Sequence, residues 1–188
     1  MRNVRNGLIV SLLLVCAFYA GLQAENIQRI YRGTLKAEKN VYDGDTLTDA
    51  MVHVAGFNDR GEVWPGIFVT DTGVVIQTDL RLAGIDTPER RPRKTWPDGT
   101  ARSEASRDRE KELARQAQVF LSHLIFEVAD NDFIVKNPVL GKYAGRVVCE
   151  VWVPNPRVPG KFLNVSQILL DADIAKPYDG TGPRPQWD

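Results

Sequence analysis

Cysteine is almost missing from this chain, which has only Cys16 and Cys149 among its 188 residues. A disulfide framework is therefore excluded as the source of its stability. Histidine is equally scarce. His53 and His123 stand alone, with no spacing that suits zinc. A P-loop and a glycine-rich dinucleotide turn are both absent, so the usual nucleotide cradles are not available. Charge of one sign is not in excess either, since 24 Lys and Arg meet 24 Asp and Glu. The basic surplus that marks many polyanion binders is lacking. No internal repeat or low-complexity linker breaks the chain. What remains, a 43% hydrophobic composition at this length, suits one domain with a core of its own.

Only one long apolar run is present, and it lies at the start. Arg2 and Arg5 precede an uncharged stretch from Gly7 to Ala24. Its centre, Leu8 to Leu22, is short for a membrane span and suits a signal peptide. Ala24 offers a small residue for cleavage, although Leu22 is larger than such sites prefer. Val15 argues against a lipid-modification box at Cys16. The organisation expected is a signal peptide, or an N-terminal membrane anchor, over residues 1–24, then one domain over residues 25–188. Export to the periplasm or beyond follows from the first reading, and anchoring in the cytoplasmic membrane through residues 8–22 from the second. Removal of the leader would leave Cys149 as the lone thiol.

The body begins with strand-like segments. Ile27 to Val41 alternates weakly, and Leu47 to Ala55 and Trp64 to Thr70 are β-rich around a turn at Asn58-Asp59-Arg60-Gly61. Val74 to Ile85 is a further strand, followed by a loop from Asp86 to Gly99. The period then changes. Leu113, Ala117, Phe120, Leu121 and Leu124 recur at helical spacing in a helix expected from near Ala101. Phe133 to Asn137 and Arg146 to Val153 read as strands, with Val147, Cys149 and Val151 on one buried face. Val165 to Leu170 reads as a short helix, and the tail from Lys176 as extended. This order is α+β.

Two acidic motifs stand out. The first is Asp43-Gly44-Asp45-Thr46, at a strand-turn-strand junction; Asp-Gly alone would suit a hairpin turn, but a second acid at Asp45 would then be unexplained. The second is Arg81-Leu82-Ala83-Gly84-Ile85-Asp86-Thr87-Pro88-Glu89, running off a strand. Arg81 lies inside an apolar run, so its guanidinium must snorkel or meet an anion. Arg146 raises the same question before Val147-Val148-Cys149. Phosphodiester hydrolysis needs such a set: a hard cation on oxygen ligands, a base for water, and fixed positive charge for the phosphate. From Leu47 to Leu80 the acids Asp49, Asp59, Glu62, Asp71 and Asp79 face only Arg60. The basic cluster Arg90-Arg91-Pro92-Arg93-Lys94 follows Glu89, where a polyanion could pass or where a solvated loop would do equally well. Trp64, Trp152 and Trp187 are read as packing residues.

Together with Lys142-Tyr143-Ala144-Gly145-Arg146, these motifs resemble, in order, those of the staphylococcal nuclease (thermonuclease) family. The resemblance spans roughly Thr34 to Tyr178. It implies a five-stranded OB-fold β-barrel with about three α-helices. It also implies a calcium-dependent nuclease that hydrolyses DNA and RNA with little sequence specificity, as a monomer without an obligate protein partner. Metal-assisted attack of water would leave 3′-phosphate ends. Asp45 and Asp86 match calcium-binding carboxylates, and Thr87 a residue that lends its carbonyl. Arg81 and Arg146 match the arginines that grip phosphate, and Glu89 the general base. Lys142, Tyr143 and Tyr178 match positions that contact substrate. Two departures are visible: Lys142 to Arg146 is one residue longer than in many relatives, and the acidic segment 47–80 is longer than in compact members. A non-catalytic OB-fold module that binds nucleic acid or protein is the alternative. Such modules usually lose a catalytic position, and all five are present here.

Overall fold

The computed structural model describes residues 30–54, 67–70, 73–142 and 145–187. The leader 1–24, the turn 58–61 with Asp59, and Glu62, Trp64, Asp71 and Tyr143 lie outside the described residues. Alternation of apolar and polar side chains builds most of the sheet structure. The strands are β1 (Ile30–Thr34), β2 (Thr46–Val54), β3 (Ile67–Thr70), β4 (Gly73–Leu82), β5 (Ile85–Asp86), β6 (Phe133–Leu140), β7 (Arg146–Pro154), β8 (Phe162–Asn164) and β9 (Lys176–Pro177). Two α-helices complete the described residues, α1 (Glu104–His123) and α2 (Val165–Asp171), against the three or so implied by the resemblance. The class is α+β, as the sequence order predicts.

Seven strands form one mostly antiparallel sheet in the order β3-β4-β2-β1-β6-β7-β8. One pairing is parallel: β4 lies beside β7, with Asp79 opposite Arg146 and Arg81 opposite Val148. The pairings thus run β4-β2-β1-β6-β7 and back to β4. Strands β5 and β9 make a separate pair, Ile85 opposite Pro177 and Asp86 opposite Lys176. The inner faces of β2, β4, β6 and β7 supply Leu47, Leu80, Leu82, Phe133, Cys149 and Val151 to one core. Leu121 of α1, Ile125 just beyond it and Leu169 of α2 close that core.

Several boundaries differ from expectation, each for a local reason. The first strand is short, because the chain leaves β1 for a 3-10 turn at Glu38–Asn40. The strand expected over Val74 to Ile85 breaks at Ala83-Gly84, where Gly84 takes a left-handed φ of 78°. Helix α1 starts three residues later than expected, at a Ser103 cap whose hydroxyl accepts from the Ser106 N–H (3.0 Å). It runs into a π turn, Leu124–Val128. Strand β6 continues past Asn137 through a register shift between Lys136 and Val139. Strand β8, only three residues long, has no counterpart among the strands expected from the sequence. No helix among the described residues is long and apolar enough to cross a membrane.

Candidate active site

The first acidic motif forms a loop closed by a Val41–Leu47 bridge and by the Tyr42 N–H on the Thr46 carbonyl (2.9 Å). Gly44 is needed there for space rather than for a left-handed turn. A Cβ at Gly44 would lie 2.6 Å from the Ala117 methyl of α1 and 2.9 Å from Thr87 Cγ2. The loop is therefore pressed flat against both the helix and the second motif. A plain hairpin turn would have required neither contact. From α1, Gln118 also donates to the Val41 carbonyl (2.7 Å).

Arg81 meets its anions. Alternation along β4 puts Leu80 and Leu82 in the core and turns Arg81 to the other face. There one amino group donates to Asp45 Oδ1, and the other to Asp86 Oδ1 (3.2 Å) and the Ile85 carbonyl (3.3 Å). Both carboxylates are almost wholly buried, at 1% side-chain exposure each. The Thr87 N–H donates to Asp45 Oδ2 (3.1 Å), and the Thr46 hydroxyl to Asp45 Oδ1 (3.0 Å). Asp45, Arg81, Asp86 and Thr87 are thus drawn together from two strands and a loop. Asp43 is buried beside them; burial first, and then the Asp45 carboxylate, pushes its pKa up to about 7.

Glu89 joins the group through partners that sequence reasoning missed. Its carboxylate is ion-paired with Arg184. Its backbone N–H donates to Glu110 Oε1 of α1 (3.1 Å). Glu110 is buried, and its other oxygen accepts from Arg102 (2.5 Å), which also reaches Ser106 Oγ (3.1 Å) and stacks on Trp96 at 4.1 Å. Arg184 itself binds Asp86 Oδ1 twice, through Nε (2.8 Å) and a terminal nitrogen (2.5 Å), and that nitrogen also faces the Thr87 carbonyl (3.5 Å). The Trp187 indole, expected only to pack, donates to Asp86 Oδ2 (3.3 Å). A single arginine between Pro183 and Pro185 has no periodicity around it, so the tail carries no signal beyond its extended character.

The remaining residues fall nearby or elsewhere. Arg146 heads β7 beside Asp79, on the same face of the sheet as Arg81 by alternation. Lys142 donates to the Gly180 carbonyl (3.3 Å) and Tyr178 to the Gly182 carbonyl (3.2 Å). Both line a cleft of about 270 Å³ that also borders Asp86, Glu89 and Arg93. In the basic cluster, Arg90 donates to the Tyr42 carbonyl (2.9 Å) and covers the Tyr42 ring, while Arg91, Arg93 and Lys94 are exposed. Of the acids between Leu47 and Leu80, Asp49 and Asp79 have structural work. Asp49 stands at a bulge with φ 51°, its N–H on Asp79 Oδ1 (2.9 Å) and its carboxylate on Gln77 (2.9 Å). Among the described residues no three His, Cys, Asp or Glu side chains are grouped to hold a metal by themselves. Compared with known proteins, the chain matches no family model and no curated protein.

Proposed function

We propose that this chain is an exported, calcium-dependent nuclease that hydrolyses DNA and RNA, on a five-stranded barrel of the OB type. The ring of pairings β4-β2-β1-β6-β7 agrees with such a barrel. The observation that carries the function is Arg81, whose one guanidinium joins the buried carboxylates of Asp45 and Asp86.

The donor set suits the cation. Asp45, Asp86 and the Thr87 carbonyl offer only oxygen, which hard ions prefer, and waters would complete the shell. Two carboxylates and a carbonyl do not amount to three acidic side chains, so the lack of such a group is no obstacle. Asp86 and Thr87 already share one positively charged partner, the Arg184 guanidinium, as oxygens that attract cations do. When bound, Ca²⁺ would neutralise and orient the phosphate. The protein's own groups do the rest. Arg81 and Arg146 meet the phosphate oxygens as planar forks that keep their charge. Glu89 takes a proton from the water that attacks phosphorus in line. A new P–O bond forms as the bond to the 5′-oxygen breaks; that oxygen leaves with a proton from solvent as a 5′-hydroxyl, and the other end keeps a 3′-phosphate.

The test is cleavage of single- and double-stranded DNA and of RNA by the purified protein. Ca²⁺ should support cleavage, and a chelator should abolish it. Cleavage that persists in excess chelator removes the cation from the reaction. A mobility shift without any cleavage in Ca²⁺ replaces the enzyme with a binding module.

A further inference from the structure

The tail after β9 lies over the acids. Tyr178 and Lys176 tie it down at the Gly182 and Gln186 carbonyls (3.2 and 2.6 Å), and Arg102 holds the Trp187 carbonyl (3.4 Å). Trp187 is buried and bonded to one oxygen of Asp86, while Arg184 is bonded to the other. Both oxygens of that carboxylate are therefore engaged by the tail.

We propose that Arg184 is a tethered stand-in for the cation, and that its occupancy sets how tightly the site takes Ca²⁺. The proposal rests on the reading of Asp86 and Thr87 as cation ligands. One terminal nitrogen of Arg184 faces both Asp86 Oδ1 and the Thr87 carbonyl. An ion coordinating those two oxygens at roughly 2.3–2.6 Å would compete with that nitrogen for the space before them. Two positive groups cannot share the place, so one leaves. Arg81 also touches Asp86, but it belongs to β4, which is paired on both sides. Arg184 belongs to a tail held by a handful of side-chain bonds, and its own side chain is 34% exposed. It is the group free to swing away. Its departure would also release the Glu89 carboxylate, which the same guanidinium holds. Cation entry and freeing of the proposed base are thereby one event, set by a residue outside every motif.

Calorimetric titration of the whole protein with Ca²⁺ alone tests this without any reference to turnover. The apparent affinity is the intrinsic one reduced by the fraction of molecules whose site is free. Arg184→Ala should therefore bind Ca²⁺ at least about tenfold more tightly than wild type. Arg184→Lys, a point charge without the planar fork, should fall between them. Arg157→Ala removes the same charge from the exposed turn between β7 and β8, and should stay within about twofold of wild type. A second measurement uses the unaltered protein. The Arg184 Nε–H and Trp187 Nε1–H resonances should move as Ca²⁺ is added and saturate with the calorimetric curve. Equal or weaker binding by Arg184→Ala overturns the proposal, as do resonances that stay fixed while Ca²⁺ saturates. If neither wild type nor Arg184→Ala takes up Ca²⁺, the assignment of the cation ligands fails, and the stand-in falls with it.

Discussion

At the scale of single residues, Arg81 shows what a charge in an apolar run is for. The side chain is only 16% exposed and lies between two carboxylates that water barely reaches. Such a cluster holds because each charge has a partner. Replacing Arg81 with Ala should lower the cleavage rate by about 10²–10³-fold, the loss found when a preorganised charge stabiliser is removed. Full activity in that variant would exclude the proposed chemistry. Cys149 offers a prediction of another kind. Burial, and then the neighbouring Glu150, pushes its thiol up to about 12. The neutral form is favoured in the fold, so its contribution to stability is complete below the ordinary thiol pKa. That contribution declines as pH rises from there towards about 12, because the unfolded chain ionises first. At pH 8 a thiol reagent should leave Cys149 unlabelled in the native protein and label it at once in guanidinium. Arg81 was legible as a charge set within an apolar run, and Cys149 as a member of the alternating buried face of β7. Arg184, flanked by prolines, interrupts nothing.

The elements position these residues, and α1 does most of it. Its buried face presents Glu110, Ala117 and, beside it, Gln118 to three separate parts of the site. Sequence periodicity revealed the helix and its apolar face, because Ala117, Leu121 and Leu124 repeat at helical spacing. It could not reveal that Glu110 belongs to the same face. A buried carboxylate looks like any other charge until its partner is known, and Arg102 lies outside the helix. Glu110→Ala would leave the buried Arg102 guanidinium without its carboxylate, at a cost of about 3–5 kcal/mol in unfolding free energy. Denaturant titration of Glu110→Ala against Glu110→Gln checks this, the amide retaining an acceptor for the Glu89 N–H. The neighbouring glycine makes a sharper case. Gly44→Ala forces a methyl into Ala117 and Thr87, and should cost about 1–3 kcal/mol through displaced backbone. Because Thr87 is among the residues that must yield, Ca²⁺ uptake should weaken along with stability. A variant that melts lower but binds Ca²⁺ as before would separate the loop's packing from the site.

For the whole molecule, the strands and their order along the chain were largely legible, and how they meet was not. Nothing local to Asp79 or Arg146 announces that β4 and β7 run side by side, since parallel partners share no turn. The β5–β9 pair is equally silent, being two residues long on each side. The acids converge only because these distant pairings form. The parallel pairing has a further consequence, in the time the chain needs to fold. Where β4 meets β7, Thr78 donates to the Gly145 carbonyl across 67 residues of chain. Closing so large a loop costs entropy before any neighbouring contact returns it, and such topologies are reached slowly. Antiparallel neighbours such as β6 and β7 can zip from a short connection and wait for this step. The slowest event in refolding should then be the seam between β4 and β7, after which Arg81 and Arg146 stand on adjoining strands.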